Sequence, residues 1–142
     1  MTRVDFYVIE PPVAADHDRM MCRIVEKAWQ QGHGVYVQCE DEAQARAFDS
    51  LLWQFQDTSF VPHALAADAN ADTRVVVGCA AVDNLQPDVL VNLAAAVPEL
   101  ASRYARVIES AGYDDATRGA ARGRYRFYQD RGFTLNTHKV SR

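Results

Sequence analysis

Cysteine is scarce and badly placed for chemistry in this chain of 142 residues. Cys22, Cys39 and Cys79 are odd in number and far apart, with no C-x-x-C pair. That argues against a disulfide framework, and the scattered His17, His33, His63 and His138 suggest no metal site. No metal and no cofactor are expected. Long apolar runs are missing too: none approaches the roughly 18 residues of a membrane span. The opening Met-Thr-Arg-Val-Asp-Phe-Tyr enters a strand-like alternation with no signal segment, so a cytoplasmic protein is expected, with no membrane partner. Phosphate-binding loops are also lacking. There is no G-x-x-x-x-G-K-[ST], and Glu10-Pro11-Pro12 stands where a G-x-G-x-x-G would follow the first strand. Proline has no N–H to offer a phosphate. A G-x-S-x-G nucleophile elbow is absent as well.

What is present suits one domain spanning 1–142. The composition is 49% hydrophobic and 24% charged, too apolar for a disordered chain. A chain of this length buries about two thirds of its unfolded surface and needs no staple. Val4–Ile9 reads as a buried strand stopped by Pro11-Pro12. From Asp16 the spacing becomes helical, through Met20, Met21, Ile24, Val25, Ala28 and Trp29 to Gly32. Val35–Cys39 is a second strand. Glu40-Asp41-Glu42 opens a second helix, with Ala43, Ala47, Phe48, Leu51 and Leu52 expected to face inward. Further strands are expected at 74–78 and 88–92, with an edge or loop piece at 60–65, where Pro62 sits, and a surface loop at 66–73. Residues 98–105 suit a helical turn, 107–110 fit strand or helix, and Asp114–Arg131 forms the last helix, ended by Gly132. Strand alternating with helix predicts an α/β fold, a mainly parallel sheet with helices packed on it.

Charge is unevenly divided. Residues 1–117 hold 8 Lys/Arg against 18 Asp/Glu, a net −10, whereas 118–142 hold 7 against 1, a net +6. A chain that is −4 overall is a poor general nucleic-acid binder, so no direct specific nucleic-acid contact is expected. One local site for an anionic ligand fits better. At about 100° per residue, Arg118, Arg122 and Arg126 spread over one side of the last helix. Gln129 lies on that side and Tyr125 borders it, while Ala121 and Tyr128 point elsewhere, toward the sheet. Guanidinium forks beside an aromatic wall suit an acidic peptide that carries an apolar side chain. A solvated basic face is the alternative. Trp53, Phe55 and Phe60 cluster near a helix end and the Pro62 edge, as core or as an interface hot spot.

Several segments together carry a resemblance. Asp5-Phe6-Tyr7, Cys39-Glu40-Asp41-Glu42, Leu52-Trp53, Ser59-Phe60-Val61-Pro62-His63 and Arg124-Tyr125-Arg126-Phe127-Tyr128 leading to Arg131-Gly132-Phe133 resemble the chi subunit family of bacterial DNA polymerase III. The resemblance implies a non-catalytic accessory subunit of the clamp-loader complex, with a Rossmann-like fold lacking a nucleotide site. It implies two partners. The acidic, Phe-ending C-terminal tail of single-stranded DNA-binding protein would meet Arg122, Tyr125 and Arg126, with Arg126 standing where some relatives have Lys. The psi subunit would meet Trp53, Phe60, Val61, Pro62 and His63. A small α/β nucleotide binder or enzyme, using Glu40 to Glu42 as metal ligands, is the competing reading.

Overall fold

The computed structural model describes residues 2–10, 14–56, 60–80 and 88–141. Seven strands form one parallel sheet: β1 (Arg3–Glu10), β2 (Val35–Gln38), β3 (Ala64–Leu65), β4 (Val75–Gly78), β5 (Val89–Asn92), β6 (Arg106–Ser110) and β7 (Thr134–Ser141), ordered β3-β4-β2-β5-β6-β1-β7. Helices α1 (Ala14–Gln30), α2 (Glu42–Gln54) and α3 (Asp115–Asp130) cross between them. This is the expected α/β architecture, consistent with a Rossmann-like fold. Among the described residues no helix is long and apolar enough to cross a membrane.

Alternation along the strands divides the core in two. Val35, Val37, Val75, Val77, Val89, Val91 and Ile108 face α1 and α2, which bury Met21, Val25, Phe48 and Leu52 against them. Val4, Phe6, Tyr36, Leu90 and Val107 face the other way, toward Tyr128 of α3. The central strands are four or five residues long and almost wholly buried, which is why they read as continuous apolar runs.

Most expected elements are found within two residues of their ends. Residues 107–110 are a strand, buried on both faces, and the turn at 98–105 is a short 3-10 helix, Ala101–Arg103. In α2 the inward residues are Ala45, Phe48 and Leu52, spaced i, i+3, i+7; Ala43 and Ala47 are exposed, a correction to the expected face, and Leu51 is half-buried. Beyond Gly132, where the pattern above assigns no element, the chain forms β7. Gly132 ends α3 with φ +78°, a conformation that suits glycine, and turns the chain to pair Thr134 with Arg3 and Thr137 with Phe6. Strand β7 thereby closes one edge of the sheet beside α3.

Candidate functional site

Helix α3 is anchored at both ends of its sequence logic. Asp114 caps its start, accepting from Thr117 N at 2.8 Å, while Thr117 Oγ1 accepts from Asp114 N at 3.0 Å. Its inner face is Ala121, Arg124 and Tyr128, again i, i+3, i+7. Arg124 is buried, and its Nε donates to Glu109 Oε1 of β6 at 2.9 Å. Asn92 and Tyr128 donate to Glu109 Oε2 at 3.0 and 2.8 Å. The other Arg124 donors reach the carbonyls of Ala95 and Ser110. Burial pushes the Glu109 carboxyl up, and Arg124, Asn92 and Tyr128 oppose that shift by stabilising the anion. One arginine of the basic end is therefore spent inside the fold. Its spacing from Ala121 and Tyr128 is the signal that marks it.

The outer side of α3 is different. Arg118, Arg122 and Tyr125 line a cavity of about 400 Å³ between the helix and strands β1 and β7, with Phe6, Val8 and Thr137 as its walls. Tyr125 meets Phe6 edge-on, ring centroids 5.2 Å apart, so its ring is fixed by packing. Arg122 is exposed and Arg118 half-buried at the rim. Glu10 also lines the cavity and works against an anion there. Arg126 and Gln129 are exposed on the same helix, but neither lines the cavity. The five residues singled out on α3 thus separate into three at the cavity and two beyond it. The arrangement can hold an apolar side chain between Phe6, Val8 and Tyr125 while guanidinium groups engage a carboxylate.

The aromatic cluster at the other end of the sheet also separates. Trp53 and Phe60 are 46% and 64% exposed, with ring centroids 5.4 Å apart, and Pro62 is exposed beside them. Val61 and His63 are buried. The His63 ring lies 4.1 Å from the Trp53 ring, with Nδ1 2.7 Å from the Val61 carbonyl and Nε2 3.0 Å from the Asp49 carbonyl; a neutral ring donates to one of the two. A partner at this surface would touch Trp53, Phe60 and Pro62; Val61 belongs to the core, and His63 supports Trp53 from the buried side. Phe55, by contrast, is core.

A second cavity, about 420 Å³, opens at the carboxyl ends of β5 and β6, where sheets of this kind hold ligands. Its electrostatics do not favour phosphate. Asp41 caps α2 by accepting from Gln44 N at 2.8 Å, and Asp114 does the same for α3, so side-chain carboxylates occupy both helix starts. Asp18 and Glu40 line the cavity, and its one cation among the described residues, Arg124, already faces Glu109. His17 ties α1 to the sheet there: with Asp18 accepting at Nδ1 (3.0 Å), Nε2 accepts from Ser110 Oγ at 2.7 Å. Among the described residues no group of His, Cys, Asp and Glu is placed to hold a metal ion.

Residues 1–136 match the family described as DNA polymerase III chi subunit, HolC. DNA polymerase III subunit chi of Pseudomonas aeruginosa is 39% identical over 142 residues, covering 100% of this chain and 99% of the relative. The subunits of the same name from Haemophilus influenzae and Escherichia coli K12 are each 31% identical, over 95% and 96% of this chain and 95% and 97% of theirs. The crystal structure of T4 UvsW shares the fold, with a TM-score of 0.69 at 8% identity over 99% of this chain; the match spans 42% of that longer protein.

Proposed function

The chain belongs to the DNA polymerase III chi subunit family, and we propose from this that it is a non-catalytic clamp-loader subunit that receives the acidic C-terminal tail of single-stranded DNA-binding protein on α3. The observation that supports the tail site is the α3 cavity, where Arg118 and Arg122 rim an apolar pocket walled by Phe6, Val8 and Tyr125. A free carboxylate following an aromatic side chain needs both halves of that arrangement. Arg126 and Gln129, farther along the helix, would meet residues upstream of the terminal aromatic, and Arg126 adds charge that draws the tail in.

The psi subunit is the second proposed partner, on Trp53, Phe60 and Pro62. Two large exposed aromatics supported by a buried histidine have the make-up of an interface hot spot. The two surfaces lie on different elements, so one molecule could bridge psi and the tail in the cytoplasm and link the replicase to coated single strands. The nucleotide-binding alternative is disfavoured by the carboxylates at the sheet crevice.

Calorimetric titration with a synthetic peptide copying the host single-stranded DNA-binding protein tail tests the reading. Micromolar binding that weakens at high salt and is lost in Arg122→Glu is the expected result. Absence of heat at low salt would reject the α3 site.

A further inference from the structure

On the opposite face of the sheet from α3, four cations converge on one cavity of about 390 Å³ between α1 and β1. They are Arg3, Arg23, Lys27 and Arg106, half of the eight Lys/Arg in residues 1–117. No carboxylate lines this cavity among the described residues. Asp5, 2% exposed, lies beneath: it accepts from Arg3 Nε at 3.1 Å and from Arg106 Nε at 2.6 Å. Arg106 Nη2 also donates to Tyr7 Oη at 2.8 Å, and His138 Nε2 lies 3.0 Å from the other Asp5 oxygen. Two guanidinium groups are thus held by one buried carboxylate, with donors left over. Arg23 and Lys27 stand one helical turn apart on the exposed side of α1, and neither has an ion-pair partner among the described residues. Like charges at i, i+4 repel. Asp5 offsets part of the charge of Arg3 and Arg106, and the exposed Arg23 and Lys27 leave the cavity net positive, complementary to a bound anion.

We propose that this cavity is a second peptide-binding site, for a segment of a partner protein that carries clustered carboxylates next to an aliphatic side chain. The walls are Met20, Ile24, Ala28 and Val140, which suit an aliphatic group. Tyr7 is the one aromatic ring lining the cavity among the described residues, and His138 stacks on one of its faces, ring centroids 4.8 Å apart, so no pair of rings is set to sandwich a nucleobase. The cations surround one pocket rather than tracking along a groove, which fits a compact acidic cluster better than a phosphate backbone. The site shares no residue with the α3 cavity, and its occupancy does not depend on the tail-binding reading.

The probe is a fluorescent, C-terminally amidated peptide of alternating Asp, Glu and Leu, which lacks the free terminal carboxylate a tail would offer. Anisotropy is measured at low salt with the full chain, its Arg23→Glu/Lys27→Glu variant and its Arg122→Glu variant, each checked for folding by circular dichroism. Binding by the unsubstituted chain and by Arg122→Glu, weakened at least tenfold in Arg23→Glu/Lys27→Glu, is the expected result. No binding at low salt, or binding that survives the α1 substitutions, overturns the proposal. So does tighter binding of oligothymidylate that is lost with the same two substitutions, which would make the site a nucleic-acid contact.

Discussion

Arg124 and Glu109 meet at 2.9 Å in the interior, while Arg122, two residues earlier on the same helix, stands exposed at the mouth of a cavity. The two arginines differ by about 200° around the helix axis, and that rotation separates a structural cation from a binding one. The Glu109 carboxylate has all its near donors supplied by Arg124, Asn92 and Tyr128, and no buried side-chain polar atom is left unpaired among the described residues. Removing one partner strands the other. Arg124→Ala should therefore cost about 3–5 kcal/mol of stability in urea denaturation, the usual scale for breaking a buried pair. The double variant Arg124→Leu/Glu109→Leu should be markedly more stable than either single one. Additive losses would mean that the pair is not coupled.

The tail site should show a gradient along α3. Arg122 lines the cavity and Arg126 does not, so Arg122→Glu should weaken tail binding by about 2 kcal/mol or more, some thirtyfold. Arg126→Glu should act only through longer-range attraction, with an effect that fades as salt shortens the Debye length. Glu10 is the acidic member of the cavity wall, and Glu10→Gln should strengthen binding modestly. Titrations of all three at 50 and 500 mM salt test the ranking. Equal losses from Arg122→Glu and Arg126→Glu at both salts would place the peptide outside the cavity.

The sheet was legible because its central strands are buried on both faces and so appear as unbroken apolar runs such as Val75-Val76-Val77. Strand β7 was not, because it is an edge strand, mostly exposed, and Thr-Leu-Asn-Thr-His-Lys-Val-Ser alternates too weakly to stand out from a tail. Arg118, Arg122 and Tyr125 could be placed on one side of α3 by helical geometry alone. Phe6 and Val8 could not, since only the β1–β7 pairing carries the first strand under the last helix. Arg124 adds to the net charge of the basic end although it is buried, because charge composition says nothing of a partner: Glu109, fifteen residues earlier, reads as one more acid in an acidic region. Arg3 and Arg106 are brought together by the parallel register of β1 and β6, which pairs them directly across 103 residues of chain.

The aromatic surface should separate binding from folding. Phe60 is 64% exposed and Val61 is fully buried. Phe60→Ala should leave the urea midpoint nearly unchanged while reducing association with the psi subunit. Val61→Ala should do the reverse, lowering stability by about 1–3 kcal/mol as a buried side chain is lost. His63→Ala removes the support under Trp53 and its two carbonyl contacts, so it should reduce both. Co-purification with psi, read beside urea curves, tests the division. A loss of stability in Phe60→Ala would mean that its ring covers core in solution.

Asp5 should make the fold sensitive to acid in a definable window. Burial alone would raise its pKa, but hydrogen bonds from His138 and Arg106, with the charges of Arg106 and Arg3, hold it below the ordinary value of 3.8. A carboxylate held low in the folded state stabilises the fold above its unfolded pKa, and that contribution fades as pH falls through the folded value. Asp5→Asn should therefore be less stable than the unsubstituted chain at pH 5, by a margin that narrows below about pH 4. Other carboxylates held low, Asp88 and Asp114, act equally in both proteins and cancel in the difference. Urea denaturation at pH 7, 5, 4 and 3 gives the comparison directly. A margin that does not change with pH would show that Asp5 stabilises by shape and hydrogen bonding, with its charge contributing nothing. A margin that widens in acid would contradict the direction of the shift.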